Sequence, residues 1–315
     1  MLIYLILTEN GMKSIRLVAL TLATLMLFSV LGSFSSIIVE PNDQPIELEE
    51  EELVFSANSQ GHPVFSQYVT SDNCGFCYQY GSPAHHSLKT QFPDEFVYIS
   101  YQSVSYGDTD TARAGNTNGY NWPWTTSGAP DSYWGDRLDK RASGCGSNTC
   151  YDSMYNTGGG MSVGVTSQYS LSAAVSENGN QLDVTITADY VGSGTPASNI
   201  YLYAAMTEET CNSYVYSDGS KGHNCWKGWL MSGSTYKTAS GGTGSAFESV
   251  SLSNGGVSFS WSVPKNMVNG GGSNALVVAA LMSGAPSSGA NSEHVLTATD
   301  SGMIPLIDIG VETLT

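Results

Sequence analysis

Six cysteines constrain this chain more than any other feature of its sequence. An even number of cysteines, in pairs that lie close together along the chain, indicates disulfides formed in an oxidising compartment. The two wider pairs are predicted to be structural disulfides, whereas the closest pair has the spacing of a reactive dithiol and calls for a chemical interpretation. The pairs are Cys74 with Cys77, Cys145 with Cys150, and Cys211 with Cys225.

The N-terminal segment agrees with an oxidising compartment. Lys13 and Arg16 precede an uncharged apolar run over residues 17–31, and small residues follow up to Ser36. This order is typical of a secretory signal, so residues 1–36 are predicted to direct export. The alternative is an uncleaved anchor that holds the protein at a membrane, although the run is shorter than the roughly 20 residues of a helical span. In both cases the rest of the chain is expected to be extracytoplasmic, either secreted or associated with the cell surface.

The charge and composition of the chain exclude one class of partner. The net charge is −17 and only 11 residues are Lys or Arg. Proteins that bind nucleic acids need basic patches to neutralise phosphate, so no nucleic acid is expected as a partner. Charged residues make up only 12% of the chain. This composition favours strands, tight turns and polar loops over long surface helices.

The hydrophobic pattern divides the chain into two predicted domains. Residues 63–70 and 96–101 have the composition of strands, and a polar insertion over 104–127 follows them. From residue 161 onwards, short strand-like segments are separated by Asn-Gly, Gly-Ser and Gly-Gly turns, which is typical of a β-sandwich. The predicted boundaries are an acidic linker over 37–54, a first domain over 55–160, a second domain over 161–302 and a tail over 303–315.

The segment Cys74-Gly75-Phe76-Cys77 lies between a predicted strand and a predicted helix. Unpaired N–H groups at a helix start favour a thiolate over a thiol, so Cys74 is predicted to be the nucleophile and Cys77 the resolving thiol. One alternative is an inert structural disulfide. Another is a zinc site that includes His85 and His86, although their spacing is unlike that of the common zinc fingers. The simplest interpretation of these two histidines is that they are exposed on a helix.

An oxygen-rich loop within the polar insertion suggests a calcium site as a further alternative. Calcium takes about six to eight oxygen ligands at defined spacings, and the loop lacks an EF-hand pattern. No nucleotide-binding, metalloprotease or serine-hydrolase signature occurs in the sequence, and no cofactor is predicted. The oxygen-bearing residues of the loop are Asp108, Asp110, Asn116 and Asn118.

The order strand, CxxC, helix, strand and Gly-x-Pro resembles the thioredoxin fold. In that fold a cis-proline beside the active disulfide leaves a sheet edge open for the substrate backbone, and this resemblance assigns the role to Pro130, with Pro123 as the second candidate. Thioredoxins usually have Trp before the first cysteine and Gly-Pro between the two cysteines, whereas this chain has Asn73 and then Gly75-Phe76. Periplasmic oxidases often have a histidine at the position of Phe76, so a less extreme oxidant is expected here.

The chain as a whole is similar to the twenty-eight-kilodalton outer-membrane-protein-like family. This resemblance covers roughly residues 60–300. It implies an α/β plus all-β fold class, with a thioredoxin-like domain followed by an immunoglobulin-like β-sandwich, and it does not supply a substrate. The supporting segments are 67–70, 74–77, 97–101, 128–130, 223–224, 228–230 and 275–281.

Two functions follow from these observations as hypotheses. The first is an exported thiol–disulfide oxidoreductase whose partners are protein or peptide thiols and disulfides. The alternative is a cell-surface binding or adhesion module, in which all three cysteine pairs are inert and the first domain is a scaffold. The sequence leaves open whether the protein is an enzyme.

Overall fold

The computed structural model describes the chain in several stretches separated by gaps. The described residues are 62–103, 128–134, 141–158, 168–238, 241–242, 244, 247–253, 255–284 and 295–303. They belong to one compact unit, Ser56–Thr315. The predicted signal or anchor over 1–36, the linker over 37–54, the insertion over 104–127, the domain boundary near residue 160 and the tail beyond Met303 lie outside the described residues.

The first part of the fold is built around two parallel strands. Strand β1 pairs with β2 in parallel, from Val64 opposite Phe96 to Ser71 opposite Ser103. Residues of β1 are buried along its whole length, as in a strand that is covered on both faces. A π-helical turn and helix α1 connect the two strands. The bounds are β1 Val64–Ser71, π-turn Cys77–Gly81, α1 Ser82–Gln91 and β2 Phe96–Ser103.

Two short strands and a second helix complete this part. Strand β3 runs antiparallel to β1, and β4 runs antiparallel to β3. Helix α2 contributes Tyr151 and Tyr155 to an aromatic core, where they meet Phe96, Tyr98 and Trp134. The bounds are β3 Asp131–Trp134, β4 Arg141–Ser143 and α2 Asn148–Gly158.

A long antiparallel hairpin extends the same sheet. Its arms, β7 and β8, pair with each other, and β8 also pairs in parallel with β2 at Ser100 opposite Cys225. The resulting sheet has eleven strands in the described residues, and its main path runs β14-β13-β7-β8-β2-β1-β3-β4. The bounds are β7 Ile200–Val215, β8 Lys221–Met231, β9 Thr235–Thr238, β10 Gly241–Gly242, β11 Glu248–Val250, β13 Ala275–Met282 and β14 Val295–Asp300.

A smaller antiparallel sheet covers one face of the large one. Its strands are β5 Tyr169–Asn178, β6 Gln181–Tyr190 and β12 Val257–Pro264, in the order β12-β6-β5. Alternate residues of β6 are buried, as expected for a strand with one covered face. These inward side chains pack against β7 and β13 and form one apolar core. Its largest fully buried members on β6 are Leu182 and Ile186.

The predicted fold class, an α/β thioredoxin-like domain followed by an all-β immunoglobulin-like β-sandwich, is wrong. The described chain is mostly β-structure with only two α-helices, and strands from both predicted domains share one mixed sheet. The reason is an edge pairing. Strand β8 occupies the edge of β2, where the Asn224 side-chain amide donates a hydrogen bond of 3.3 Å to the Tyr98 carbonyl oxygen. Sequence periodicity reports which face of a strand is buried, not which edge it pairs with.

No helix in the described part of the chain is both long and apolar enough to cross a membrane.

Candidate redox site at Cys74 and Cys77

All three predicted cysteine pairings are disulfides in the structure. Three disulfides fit an oxidising, extracytoplasmic setting. The pair Cys74–Cys77 lies where β1 ends and the helical segment begins, with a Cα–Cα distance of 5.2 Å. The chain turns sharply there, because the Cys74 amide donates a hydrogen bond of 3.1 Å to the Ser71 carbonyl oxygen.

The local backbone directs a hydrogen-bond donor at the first cysteine sulfur. The Cys77 amide N–H lies 3.2 Å from Cys74 Sγ and 3.0 Å from the Cys74 carbonyl oxygen. Such a donor stabilises negative charge on sulfur and lowers the pKa of a thiol. The backbone around Cys74 is therefore suited to a thiolate at this position.

The disulfide is buried. Cys74 is 4% exposed and Cys77 is 0% exposed. Ala129 and Tyr216 pack against the pair, and Tyr78 adds a partly buried ring. A sulfur at this position is reached only when one of these covering groups moves.

Tyr216 is a site residue that sequence reasoning missed. It comes from the turn of the β7–β8 hairpin, far from the cysteine motif along the chain, and its hydroxyl shares a hydrogen bond of 2.9 Å with Thr70 Oγ1. Burial raises the pKa of Tyr216, so this hydroxyl stays protonated. The sequence contained a signal for the turn alone, because Asp-Gly is a common hairpin turn pair, and Gly219 has a φ of 87° there.

Pro130 lies in the loop that contacts the pair. The Ala129–Pro130 peptide bond is cis, and Ala129 packs in the same cluster as the two cysteines. The Pro130 carbonyl oxygen accepts a hydrogen bond of 2.8 Å from the Gly144 amide. The predicted role of Pro130 in holding a substrate backbone stays a prediction, and Pro123 lies outside the described residues.

The interpretation of His85 as an exposed helix residue is wrong. Its side chain is fully buried, stacked on Tyr68 at 4.4 Å between ring centroids and 4.9 Å from the Trp134 ring. The Nδ1–H group donates to the Gly81 carbonyl oxygen at 2.8 Å, so Nε2, at 3.0 Å, accepts from the Ser66 hydroxyl. Burial lowers the pKa of His85 to about 4.

This geometry weighs against zinc at the cysteine pair, because both nitrogens of His85 are already engaged. His86 is exposed and stacks on His223, with ring centroids 3.8 Å apart. Within the described ranges, no group of three or more His, Cys, Asp or Glu side chains could hold a metal ion. The proposed calcium ligands Asp108, Asp110, Asn116 and Asn118 lie outside those ranges.

The second disulfide, Cys145–Cys150, lies close to the cysteine motif. Gly146, inside its loop, approaches Phe76 so closely that a Cβ there would be 3.6 Å from the phenyl ring. Phe76 is 52% exposed, and its ring lies 6.1 Å from that of Tyr80. An exposed apolar ring thus flanks the buried Cys74–Cys77 pair.

The third disulfide, Cys211–Cys225, crosses the arms of the hairpin that bears Tyr216, with a Cα–Cα distance of 5.5 Å. Both cysteines are fully buried. Cys225 Sγ lies 3.1 Å from Oε1 of Gln102, a buried side chain on β2. The other two disulfides, Cys145–Cys150 and Cys211–Cys225, therefore lie near elements that surround the Cys74–Cys77 pair.

Comparison with known proteins gives one structural likeness. No protein-family model matches the chain, and no curated protein sequence matches it either. Among solved structures, HBP35 of Porphyromonas gingivalis is similar, with a TM-score of 0.56 and 12% sequence identity over 77% of this chain and 76% of that one. At this identity the likeness shows a shared fold and does not assign an activity.

Proposed function

We propose that the protein is an extracytoplasmic thiol–disulfide oxidoreductase that acts on protein or peptide thiols and disulfides through Cys74 and Cys77. The observation that carries the proposal is the Cys77 amide N–H directed at Cys74 Sγ from 3.2 Å. The three disulfides and the export-like N-terminal segment support the compartment. Membership of the twenty-eight-kilodalton outer-membrane-protein-like family is part of the same proposal.

The proposed reaction starts from the disulfide state. A client thiolate attacks Cys74 Sγ, a mixed disulfide forms, and Cys77 leaves as a thiolate that takes up a proton. A second client thiolate then attacks the client sulfur of the mixed disulfide, and Cys74 leaves as a thiolate. Two electrons pass from the client dithiol to the Cys74–Cys77 pair, and the client gains one disulfide. The reverse sequence reduces a client disulfide.

The local geometry fits this division of roles. The amide N–H that faces Cys74 stabilises the thiolate that leaves in the second step and attacks in the reverse direction. Cys77 is the more deeply buried of the two cysteines, which is consistent with a resolving thiol that reacts only with Cys74. Pro130 is proposed to flank the client backbone at the adjoining loop.

The test is an exchange assay with the full chain, using reduction of insulin disulfides and oxidation of a dithiol peptide. The Cys74→Ser variant is expected to lose exchange, and the Cys77→Ser variant is expected to accumulate a mixed disulfide that mass spectrometry detects. A double Cys145→Ser/Cys150→Ser variant is the matched control and should retain exchange. Failure of both the wild type and a Tyr216→Ala variant, which lacks the ring packed against the pair, to exchange with any dithiol couple would overturn the proposal.

One observation favours the alternative, a cell-surface binding module with an inert disulfide. Cys74 is only 4% exposed, which is typical of a structural disulfide. Structural disulfides of secreted proteins usually have reduction potentials below about −300 mV, whereas catalytic pairs have higher values. Equilibration of the protein in thiol buffers of known potential, with thiol counting by mass spectrometry, therefore separates the two functions.

A further inference from the structure

We infer that the tip of the β7–β8 hairpin (residues 216–220, the lid) closes over the Cys74–Cys77 pair, and that the Cys211–Cys225 disulfide is a lock that keeps it closed. The inference concerns regulation of the proposed exchange reaction and rests on that function. It also accounts for the deep burial of Cys74.

The lid is attached to the segment that leads into the cysteine motif. The Ser217 amide donates a hydrogen bond of 2.9 Å to the Asp72 carbonyl oxygen, and Tyr216 shares a hydrogen bond of 2.9 Å with Thr70 Oγ1. These two contacts join the hairpin tip to the last residues before Cys74. The lid is thus held at the place where a client would have to approach.

The lid obstructs the geometry that exchange requires. A thiolate attacks a disulfide sulfur directly and displaces the other sulfur, so its own sulfur must reach Cys74. Tyr216 is 3% exposed and packs in one cluster with both cysteines. Its ring lies 6.1 Å from that of Tyr78 on the other side of the motif. Tyr216 is the covering group that the lid contributes, and its movement is the proposed route by which a client sulfur reaches Cys74.

The hairpin ladder below the lid is irregular. Thr210 lies opposite His223 and Val215 opposite Lys221, so residues 211–214 face Gly222 alone. Residues in such a bulge are not held by regular cross-strand hydrogen bonds. Cys211 lies within the bulge and is tied to Cys225 on the opposite arm. Within the bulge the Glu208 carboxylate accepts from the Asn212 and Ser213 amides at 2.9 and 3.1 Å, and the disulfide is the covalent tie to the opposite arm.

The bulge and the lid are packed together. A Cβ on Gly222 would lie 3.3 Å from Cys211 Sγ and 3.4 Å from the Tyr216 hydroxyl. The cysteine sulfur and the tyrosine hydroxyl thus converge on one glycine. Movement of Cys211 away from Cys225 would remove a support from beneath Tyr216.

The Cys225 side of the lock packs against a buried amide. Its sulfur lies 3.1 Å from Gln102 Oε1, but a disulfide sulfur has no proton to donate to that oxygen. Gln102 is 3% exposed, and within the described part of the chain its Nε2 has no hydrogen-bond partner. Substitution of both cysteines removes the Cys211–Cys225 bond and releases the two arms of the hairpin from each other at this point.

The experiment measures how fast excess dithiothreitol reduces Cys74–Cys77 in the folded full chain, by quenching with iodoacetamide and mapping the labelled cysteines. Two variants open the lid in different ways. A Cys211→Ala/Cys225→Ala double variant removes the lock, and Tyr216→Ala removes the covering ring. Both are expected to be reduced at least tenfold faster than wild type, and Cys145→Ala/Cys150→Ala is expected to stay within threefold of it.

Each outcome decides a part of the inference. If Cys74–Cys77 is reduced equally fast in wild type and in Tyr216→Ala, the proposed lid is wrong. If Tyr216→Ala is reduced faster but Cys211→Ala/Cys225→Ala is not, the proposed lock is wrong. Near-ultraviolet circular dichroism verifies that each variant is folded. Exchange with a protein substrate separates this inference from the proposed function. If Cys74–Cys77 is reduced quickly in the open variants but these variants exchange with no protein disulfide, the lid proposal is supported and the oxidoreductase proposal is wrong. If wild type exchanges as fast as the open variants, the oxidoreductase stands and the lid fails.

Discussion

Replacement of His85 by phenylalanine tests the environment of helix α1, which follows the Cys74–Cys77 motif. The ring of His85 is enclosed by aromatic side chains, and burial lowers its pKa from the ordinary 6.5 to about 4. A pKa depressed in the folded state means that the unfolded chain binds a proton more readily. The folded protein is therefore expected to lose stability as the pH falls from 6.5 towards 4, with the His85 contribution fully present above pH 6.5.

The magnitude follows from the size of the pKa change. Each pH unit of difference corresponds to about 1.4 kcal/mol, so the fall from 6.5 to about 4 amounts to roughly 3 kcal/mol of unfolding free energy. Phenylalanine keeps the stacking on Tyr68 but cannot accept from Ser66 or donate to Gly81. Loss of these hydrogen bonds is expected to cost about 1–3 kcal/mol at neutral pH. At neutral pH the variant should be less stable than the wild type, but its stability should no longer change with pH through titration of residue 85.

Urea unfolding at a series of pH values, with all disulfides intact, measures both effects. The wild-type and His85→Phe curves are expected to approach each other as the pH falls towards 4. Leu88→Ala is the matched control, because Leu88 is buried in the same helix and carries no titrating group. It should lower stability by about 2–5 kcal/mol while it keeps the wild-type pH dependence. If the unfolding free energy of His85→Phe depends on pH as steeply as that of the wild type, the reasoning is refuted.

Two further substitutions probe how the helical segment is held. Gly81→Ala would place a Cβ 2.8 Å from Cζ of Tyr68 and is expected to lower the free energy of urea unfolding by about 1–3 kcal/mol. Gly75→Ala is the control and should be tolerated, because a Cβ on Gly75 would meet no atom nearer than 3.9 Å. Lys89→Met removes the partner that lies 2.6 Å from the buried Asp300 carboxylate and is expected to cost about 3 kcal/mol. The double variant Lys89→Met/Asp300→Asn should recover part of that loss, and a Lys89→Met protein as stable as wild type would contradict the coupling.

Local signals in the sequence predicted the first two strands and the cysteine pairings. Predicted strands over 63–70 and 96–101 correspond to β1 and β2, because β-branched and aromatic residues are concentrated there. In each case the burial pattern is set by neighbours along the same strand, and the sequence is sufficient to show it.

Strand β8 could not be recognised in the same way. Its sequence contains two lysines, two glycines and a histidine, and only its pairing with β2 and β7 makes it a strand. That pairing joins residues more than a hundred positions apart, as in Ser100 with Cys225. The wrong fold class and the missed Tyr216 have this one cause, because the hairpin both extends the sheet and carries the lid.

His85 shows the same limitation on the scale of one side chain. Its sequence neighbours are mostly polar or small, which is typical of an exposed helix face. The rings that enclose it, among them Tyr68, Trp134 and Tyr151, come from three different elements. Burial of a histidine then depends on contacts that no local pattern encodes.

The free energy of opening the lid decides how the exchange assay must be interpreted. Burial of the Tyr216 side chain contributes about 2 kcal/mol, and the two hydrogen bonds of the lid, Tyr216 with Thr70 and the Ser217 amide with the Asp72 carbonyl, add about 1 kcal/mol each. An opening cost of roughly 4 kcal/mol leaves about one molecule in a thousand open, since each 1.4 kcal/mol is a factor of ten. Wild-type exchange would then run about a thousandfold below the rate of an uncovered Cys74 and could resemble that of an inert disulfide. The rate in Tyr216→Ala relative to wild type, rather than the wild-type rate alone, therefore distinguishes a closed oxidoreductase from a scaffold.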